Sequence, residues 1–230
     1  MSISCVTFDL DDTLWAVGPV IAQAEREFYA WLQANCPDVT ERFSHDALVA
    51  HRHAFFIDFP DERHDLTGLR KRWLVHVLNE HGYTREVAEA AFRVFWEHRN
   101  AVTLFDDAQP TLDDLKGRYR MGVITNGNAC VEFIGIDHYF DFVVSSERAG
   151  KAKPAPDIFH IALEEAGSDP EAVVHVGDDP RNDVLGAQAV GMRTVWFNPS
   201  LEPWPGGQTP DAVIRSLSEL KRTLDRLAAR

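Results

Sequence analysis

The chain has 230 residues, 45% hydrophobic and 26% charged. This is ordinary globular usage, and the length suffices for one large domain, or a domain with a sizeable insertion, held by its own core. Lys and Arg number 23 against 36 Asp and Glu, a formal net charge of −13. Such a surface repels phosphate backbones and anionic lipid, which excludes nucleic acid and membranes as general partners but not a small anion in a locally positive site.

Cys5, Cys36 and Cys130 are widely spaced and form no C-x-x-C. They make neither a disulfide framework nor a zinc site, and imply a reducing compartment. Residues 1–12 lack a basic leader region and run into acids. No apolar run approaches the roughly 20 residues of a membrane helix. The expectation is a cytoplasmic protein.

In chain order, 3–8 is a short apolar run rich in β-branched residues, closed abruptly by Asp9-Leu10-Asp11-Asp12-Thr13. It predicts a buried parallel strand with a functional turn at its carboxyl end. The next 90 or so residues are helical in period. Ile21, Ala24, Phe28 and Leu32 follow Pro19 at spacings of three and four, with proline suited to a first turn. Ser44 is placed to cap a helix holding Leu48 and Phe55. Leu66, Leu69, Trp73 and Val77 form a third stripe, and Thr84 is placed to cap a fourth through Val87, Ala91 and Val94. The block reads as an all-helical insertion, 15–104, between a first strand (1–14) and the rest of one domain (105–230).

After it, strands and helices alternate. Strands are predicted at 120–125, 142–145, 172–176 and 194–197; helices at 112–117, 156–166 and 183–190. Residues 199–210, rich in Pro and Gly, predict a surface loop whose Trp204 packs on the body. Val213, Leu217, Leu220, Leu224 and Leu227 predict a final helix over 211–230. Alternation of this kind predicts an α/β fold, a Rossmann-like doubly wound parallel sheet with helices on both faces.

In such a sheet the ligand site lies at the carboxyl ends of the strands. Four of those ends carry polar residues. Asp9 and Asp11, with Asp12 beside them, make a like-charge cluster that needs a cation or shared protons; the all-oxygen donor set suits a hard divalent ion. Thr125 and Asn126 offer a hydroxyl and an amide to phosphate oxygens. Lys153, followed by Pro154, offers a positive charge. Asp178, Asp179 and Asp183 follow Gly177 and repeat the acidic signature.

In this order the set resembles the haloacid dehalogenase-like hydrolase superfamily. The matches are D-x-D-x-T (Asp9, Asp11, Thr13), the strand-terminal Thr125, Lys153-Pro154 and G-D-x-x-x-x-D (Asp178, Asp183). The helical insertion is similar to that superfamily's α-helical cap. The resemblance implies that Asp9 is a nucleophile forming an aspartyl-phosphate. It implies Mg²⁺ held by Asp9, the Asp11 backbone carbonyl and Asp178, with Asp183 bracing bound water. Lys153, Thr125, Asn126 and backbone N–H groups of Leu10 to Asp12 would hold the phosphoryl oxygens. Asp11 would serve as general acid and then base. The founding dehalogenases lack an acid there, so Asp11 favours phosphate transfer over carbon–halogen cleavage. Trp15, His64 and Arg70 are the candidates for contacting the leaving group.

The motif sequences 8–14, 125–129 and 175–179, with 63–67, resemble the bacterial flavin mononucleotide phosphatase branch. Members of that branch also act on 5-amino-6-(5-phospho-D-ribitylamino)uracil. The expected partner is thus a small phosphate ester, handled by a monomer or a homodimer. A sugar-phosphate or phosphoglycolate phosphatase remains an alternative, as does a non-catalytic phosphate-binding module on the same fold.

Overall fold

The computed structural model describes residues 2–229. In it the first apolar run forms β1 (Cys5–Phe8), buried at every position. Burial on both faces requires parallel neighbours and a helical layer on each side. The neighbours are β2 (Arg120–Thr125), β3 (Phe142–Ser145), β4 (Val173–Gly177), β5 (Arg193–Phe197) and β6 (Ala212–Ile214). All pairs are parallel, in the order β3-β2-β1-β4-β5-β6. The order reverses between β1 and β4, where Asp9 donates its backbone N–H to the Val176 carbonyl at 2.9 Å. A topological switch point opens a crevice at the strands' carboxyl ends, and β1 and β4 both end there in aspartates.

Helices α6 (Ala108–Leu115) and α9 (Pro156–Ala166) flank the sheet, α9 ending at the left-handed Gly167. Under α9, Ile158, Phe159 and Ala162 join Ile124, Val144 and Val173 in one buried cluster. Gly122 pairs with Phe142 in register, and a β-carbon there would lie 2.2 Å from the Phe142 ring. The glycine makes room for the aromatic that covers this edge of the sheet.

The chain divides into two compact units, 1–16 with 103–230, and 17–102. The second is all helix: α1 (Val17–Asn35), α2 (Pro37–Arg42), α3 (His45–Ile57), α4 (Leu66–Asn79) and α5 (Arg85–Arg99). Its own core includes Phe28, Leu32, Trp73, Val77, Ala91 and Phe95. Ser44 caps α3 by accepting the Ala47 N–H, and Asp65 caps α4 by accepting that of Gly68. Also buried here is Glu25 of α1, ion-paired to Arg52 of α3 and, at 2.7 Å, to Arg70 of α4.

Three expectations change. The predicted terminal helix over 211–230 is β6, a short 3₁₀ turn and α11 (Leu220–Ala228). Val213 is 48% exposed rather than on the apolar stripe, because Ala212–Ile214 is recruited as an edge strand beside β5. The helix predicted at 183–190 starts earlier, as a π-helical turn Pro180–Leu185 running into the short α10 (Gly186–Gln188). Pro180 fits a first helical position, and Asp179 caps it by accepting the Arg181 and Asn182 N–H groups. Thr84 stands at the start of α5 without a side-chain cap bond.

Candidate active site

Asp9 follows β1 directly, and the segment after it closes on itself. Leu10 O accepts from Thr13 and Leu14, and the Asp12 N–H donates to the Trp15 carbonyl at 2.7 Å. Asp12 is thereby held at a left-handed φ of 56°. This turn presents Asp9 and Asp11 to the crevice, while Leu10, Leu14 and Trp15 are fully buried below.

Opposite, Lys153 is 5% exposed. Its Nζ donates to Asp9 Oδ1 at 2.7 Å, Asp183 Oδ1 at 2.6 Å and the Ile124 carbonyl at 2.7 Å. Three donors thus meet three acceptors, which fixes the ammonium in position. The Lys153 backbone is held just as firmly: Asn126 Oδ1 accepts its N–H at 2.7 Å, and Asn126 Nδ2 donates to its carbonyl at 3.0 Å. Both ends of the Asn126 amide are therefore committed to placing Lys153.

Asp183 sits on the π-helical turn. Its Oδ1 also meets His175 Nε2 at 3.2 Å, and its Oδ2 accepts the Asp179 N–H at 3.0 Å. His175 in turn meets the Thr7 hydroxyl through Nδ1 at 2.9 Å. Asp178 accepts from Thr13 Oγ1 at 3.3 Å, and its carbonyl accepts from the Trp196 indole at 2.7 Å. Gly177 has no room for a side chain, since a β-carbon would lie 2.3 Å from Asp183 Cγ. Thr125, 1% exposed, accepts the Gly127 N–H at 3.0 Å.

These side chains surround a cavity of about 190 Å³ lined by Asp9, Asp11, Thr125, Lys153, Asp178 and Asp183, among others. Negative charge is in excess. Burial, opposed by Lys153 and aided by Asp183, pushes the Asp9 carboxyl up to about 8. Burial, with Asp183 and Asp12 nearby, pushes Asp178 up to about 7. Burial alone would raise Asp183, but Lys153 and His175 hold it below the usual carboxylate range. Burial would likewise lower Lys153, yet Asp183 and Asp9 hold its ammonium charged.

Asp9, Asp178 and Asp183 each offer a carboxylate oxygen, all within 4.8 Å of one another. Clustered carboxylate oxygens of like charge are hard donors suited to a divalent ion, which would offset their mutual repulsion. The fit is best for Asp9 and Asp178. Both Asp183 oxygens are already engaged, which makes it the anchor of Lys153 and a brace for the site.

Some expected residues stand elsewhere. The Asp12 N–H is used by its own turn and is not offered to a ligand. The Asn126 side-chain amide is engaged with the Lys153 backbone. Trp15 belongs to the sheet-bearing unit, and its indole donates to Asp11 Oδ1 at 2.9 Å; wholly buried, it orients the acid and cannot line a substrate pocket. In the helical unit, Arg70 is turned inward, with its guanidinium 3.3 Å over the Phe95 ring and paired to Glu25. His64 Nδ1 lies 3.0 Å from the Asp61 carbonyl in the loop before α4. His175 was missed. Its signal was a single polar residue inside the otherwise apolar run of β4.

Comparison with known proteins shows the family. A family model of haloacid dehalogenase-like hydrolases matches residues 3–191. The 5-amino-6-(5-phospho-D-ribitylamino)uracil phosphatase YigB of Escherichia coli is 32% identical over 226 residues, covering 95% of this chain and 94% of that protein. The structure named 2-haloacid dehalogenase from Pseudomonas syringae pv. Tomato is 40% identical with a TM-score of 0.91, over 97% of this chain and 99% of that one. A glyceraldehyde 3-phosphate phosphatase of Pyrococcus abyssi is 26% identical over 85% of this chain and 81% of its own.

Proposed function

We infer that this chain, which belongs to the haloacid dehalogenase-like hydrolases, is a small-molecule phosphoric monoester hydrolase, and we propose flavin mononucleotide or 5-amino-6-(5-phospho-D-ribitylamino)uracil as its substrate. The observation that carries the reaction type is Lys153, buried and bonded at once to Asp9 and Asp183 at the carboxyl end of the sheet. It fixes one oxygen of Asp9 and leaves the other to attack phosphorus, forming an aspartyl-phosphate as the ester P–O bond breaks. Lys153 supplies a fixed positive charge beside the transferring group, and the Thr125 hydroxyl, which accepts the Gly127 N–H, keeps its own proton to donate to a phosphoryl oxygen. Asp9, Asp178 and the Asp11 carbonyl, with Asp183 bracing the site, would hold a divalent cation such as Mg²⁺, which would supply positive charge against an anion attacking a dianion. Asp11, aimed by the Trp15 indole, gives its proton to the leaving alkoxide. It then takes one from the water that attacks the aspartyl-phosphate, releasing inorganic phosphate and restoring Asp9.

The ribitylaminouracil phosphate as substrate is supported by the relative YigB, whose name gives that activity; flavin mononucleotide rests on the motif resemblance of 8–14, 125–129 and 175–179. A second reading, carbon–halogen cleavage, has the Pseudomonas syringae structure's name in its favour. We favour phosphate transfer because Asp11 offers an acid, whereas halide leaves without needing a proton. The free cysteines, two of them buried, suit a reducing cytoplasm, and no helix among the described residues is long and apolar enough to cross a membrane.

The test is phosphate release from flavin mononucleotide and from phosphoglycolate, each with Mg²⁺ and with chelator, alongside halide release from 2-chloropropionate. We expect Mg²⁺-dependent phosphate release favouring the flavin ester, abolished in Asp9→Asn. Halide release without phosphate release would overturn the reading.

A further inference from the structure

Beside the acidic cavity lies a larger pocket of about 570 Å³, built wholly from the sheet-bearing unit. It shares Asp12 and Asp178 with the acidic cavity. Its volume falls within the roughly 300–1,000 Å³ typical of small-molecule sites. Phe105, Trp196 and Phe197 are the aromatic lining residues: the Phe105 and Phe197 centroids are 5.9 Å apart, and Trp196 is held by Trp204, edge-on at 5.2 Å.

The pocket is braced by hydrogen bonds. The Trp196 indole donates to the Asp178 carbonyl at 2.7 Å, which ties this wall to the acidic centre. Asn198, 7% exposed, clasps the loop above: its Oδ1 accepts the Glu202 N–H and its Nδ2 donates to the Glu202 carbonyl, both at 2.9 Å. Pro199, Pro203 and Pro205 stiffen the rim. The only charged lining residues are Asp12, Asp178 and Glu202, all acidic.

We propose that this pocket receives the leaving group of the ester and selects a flat ring bearing hydrogen-bond donors and no second anionic group. The inference rests on the phosphatase reading and deepens it. Aromatic and proline faces stack on a ring, and the Asp12 and Glu202 carboxylates and the Ser200 hydroxyl oxygen accept from ring N–H and amino groups. A leaving group with its own carboxylate or phosphate meets like charge and finds no cation among the lining residues. The pocket thereby separates a ring-bearing ester from phosphoglycolate and from sugar bisphosphates.

Ser200→Trp, on the exposed rim, fills the pocket, and Pro203→Trp does so from the far side of the loop. Two readouts are taken. One is the ratio of kcat/KM for flavin mononucleotide to that for β-glycerol phosphate. The other is saturable quenching of riboflavin fluorescence, which needs no phosphoryl transfer. We expect both variants to lower the ratio at least tenfold and to weaken riboflavin binding by a similar factor. A hydrolysing enzyme whose ratio and riboflavin affinity do not move in either variant overturns the pocket and leaves the phosphatase reading standing. A wild-type protein that hydrolyses no ester overturns the phosphatase reading, and riboflavin binding lost in Ser200→Trp then still supports the pocket.

Discussion

Lys153 has three hydrogen bonds, to two carboxylates and a carbonyl, and a backbone clamped by Asn126. Deleting one partner of a buried ion pair leaves the others uncompensated, at a cost of about 3–5 kcal/mol; a half-exposed pair such as Arg72–Glu62, at 2.6 Å, is worth about 1 kcal/mol or less. Lys153→Met is therefore expected to lose phosphatase activity and to lower the urea midpoint clearly, whereas Arg72→Met leaves the midpoint nearly unchanged. Asp11 makes a different prediction. In the proposed reaction its carboxyl would protonate the leaving group while its metal contact would come from the backbone, so Asp11→Asn should slow turnover by about 10²–10⁴-fold. Mg²⁺ affinity, measured by calorimetry, should stay within a few-fold. Unchanged turnover, or lost Mg²⁺ binding, would remove the assigned role.

Two glycines separate the stability of the strands from the chemistry at their ends. At Gly177 an added β-carbon meets Asp183 at 2.3 Å, and at Gly122 it meets the Phe142 ring at 2.2 Å. Gly177→Ala should displace Asp183, and with it Lys153, so activity falls by orders of magnitude for a modest stability change. Gly122→Ala should push the edge strand β3 away, costing about 1–3 kcal/mol as overpacking does, with kcat of the remaining folded enzyme largely kept. Thermal melts and initial rates on the same preparations distinguish the two patterns. The elements themselves were legible wherever periodicity ran long, as in α1, α4 and α5. The three-residue β6 was not, because Ala212–Ile214 carries too few residues to show a period of two and its strand state depends on pairing with β5.

At the scale of the whole molecule, −13 net charge sits on two units whose buried charges are arranged separately. In the helical unit, burial would raise Glu25, but Arg70 and Arg52 hold its carboxyl below the usual 4.5. The unfolded chain therefore takes up the proton first as pH falls. The stabilisation is fully present above about pH 4.5 and is lost below it, as pH drops through the folded value. Urea midpoints followed by circular dichroism should decline on acidification through that range. Glu25→Gln should start lower at pH 7 and decline less steeply; an unchanged slope would show that this pair does not govern acid stability.

By itself the sequence determined the α/β class and the acids and lysine that the strand ends bring together, because both follow from local rules: apolar runs make buried strands, and polar residues collect at their carboxyl ends. It also supplied the likeness to a phosphoryl-transfer family. Only the tertiary structure decided which partner each polar group takes. Asn126 serves Lys153, Trp15 serves Asp11, Arg70 is spent on Glu25, and His175 lies beneath Asp183. Those assignments come from contacts between residues eight to more than a hundred positions apart, as with Lys153 and Asp9 at a separation of 144, or from how a turn closes on itself, and neither is written in local spacing. The aromatic pocket at the end of β5 has the same origin: a proline-rich loop becomes a wall only once the sheet places it beside Asp178.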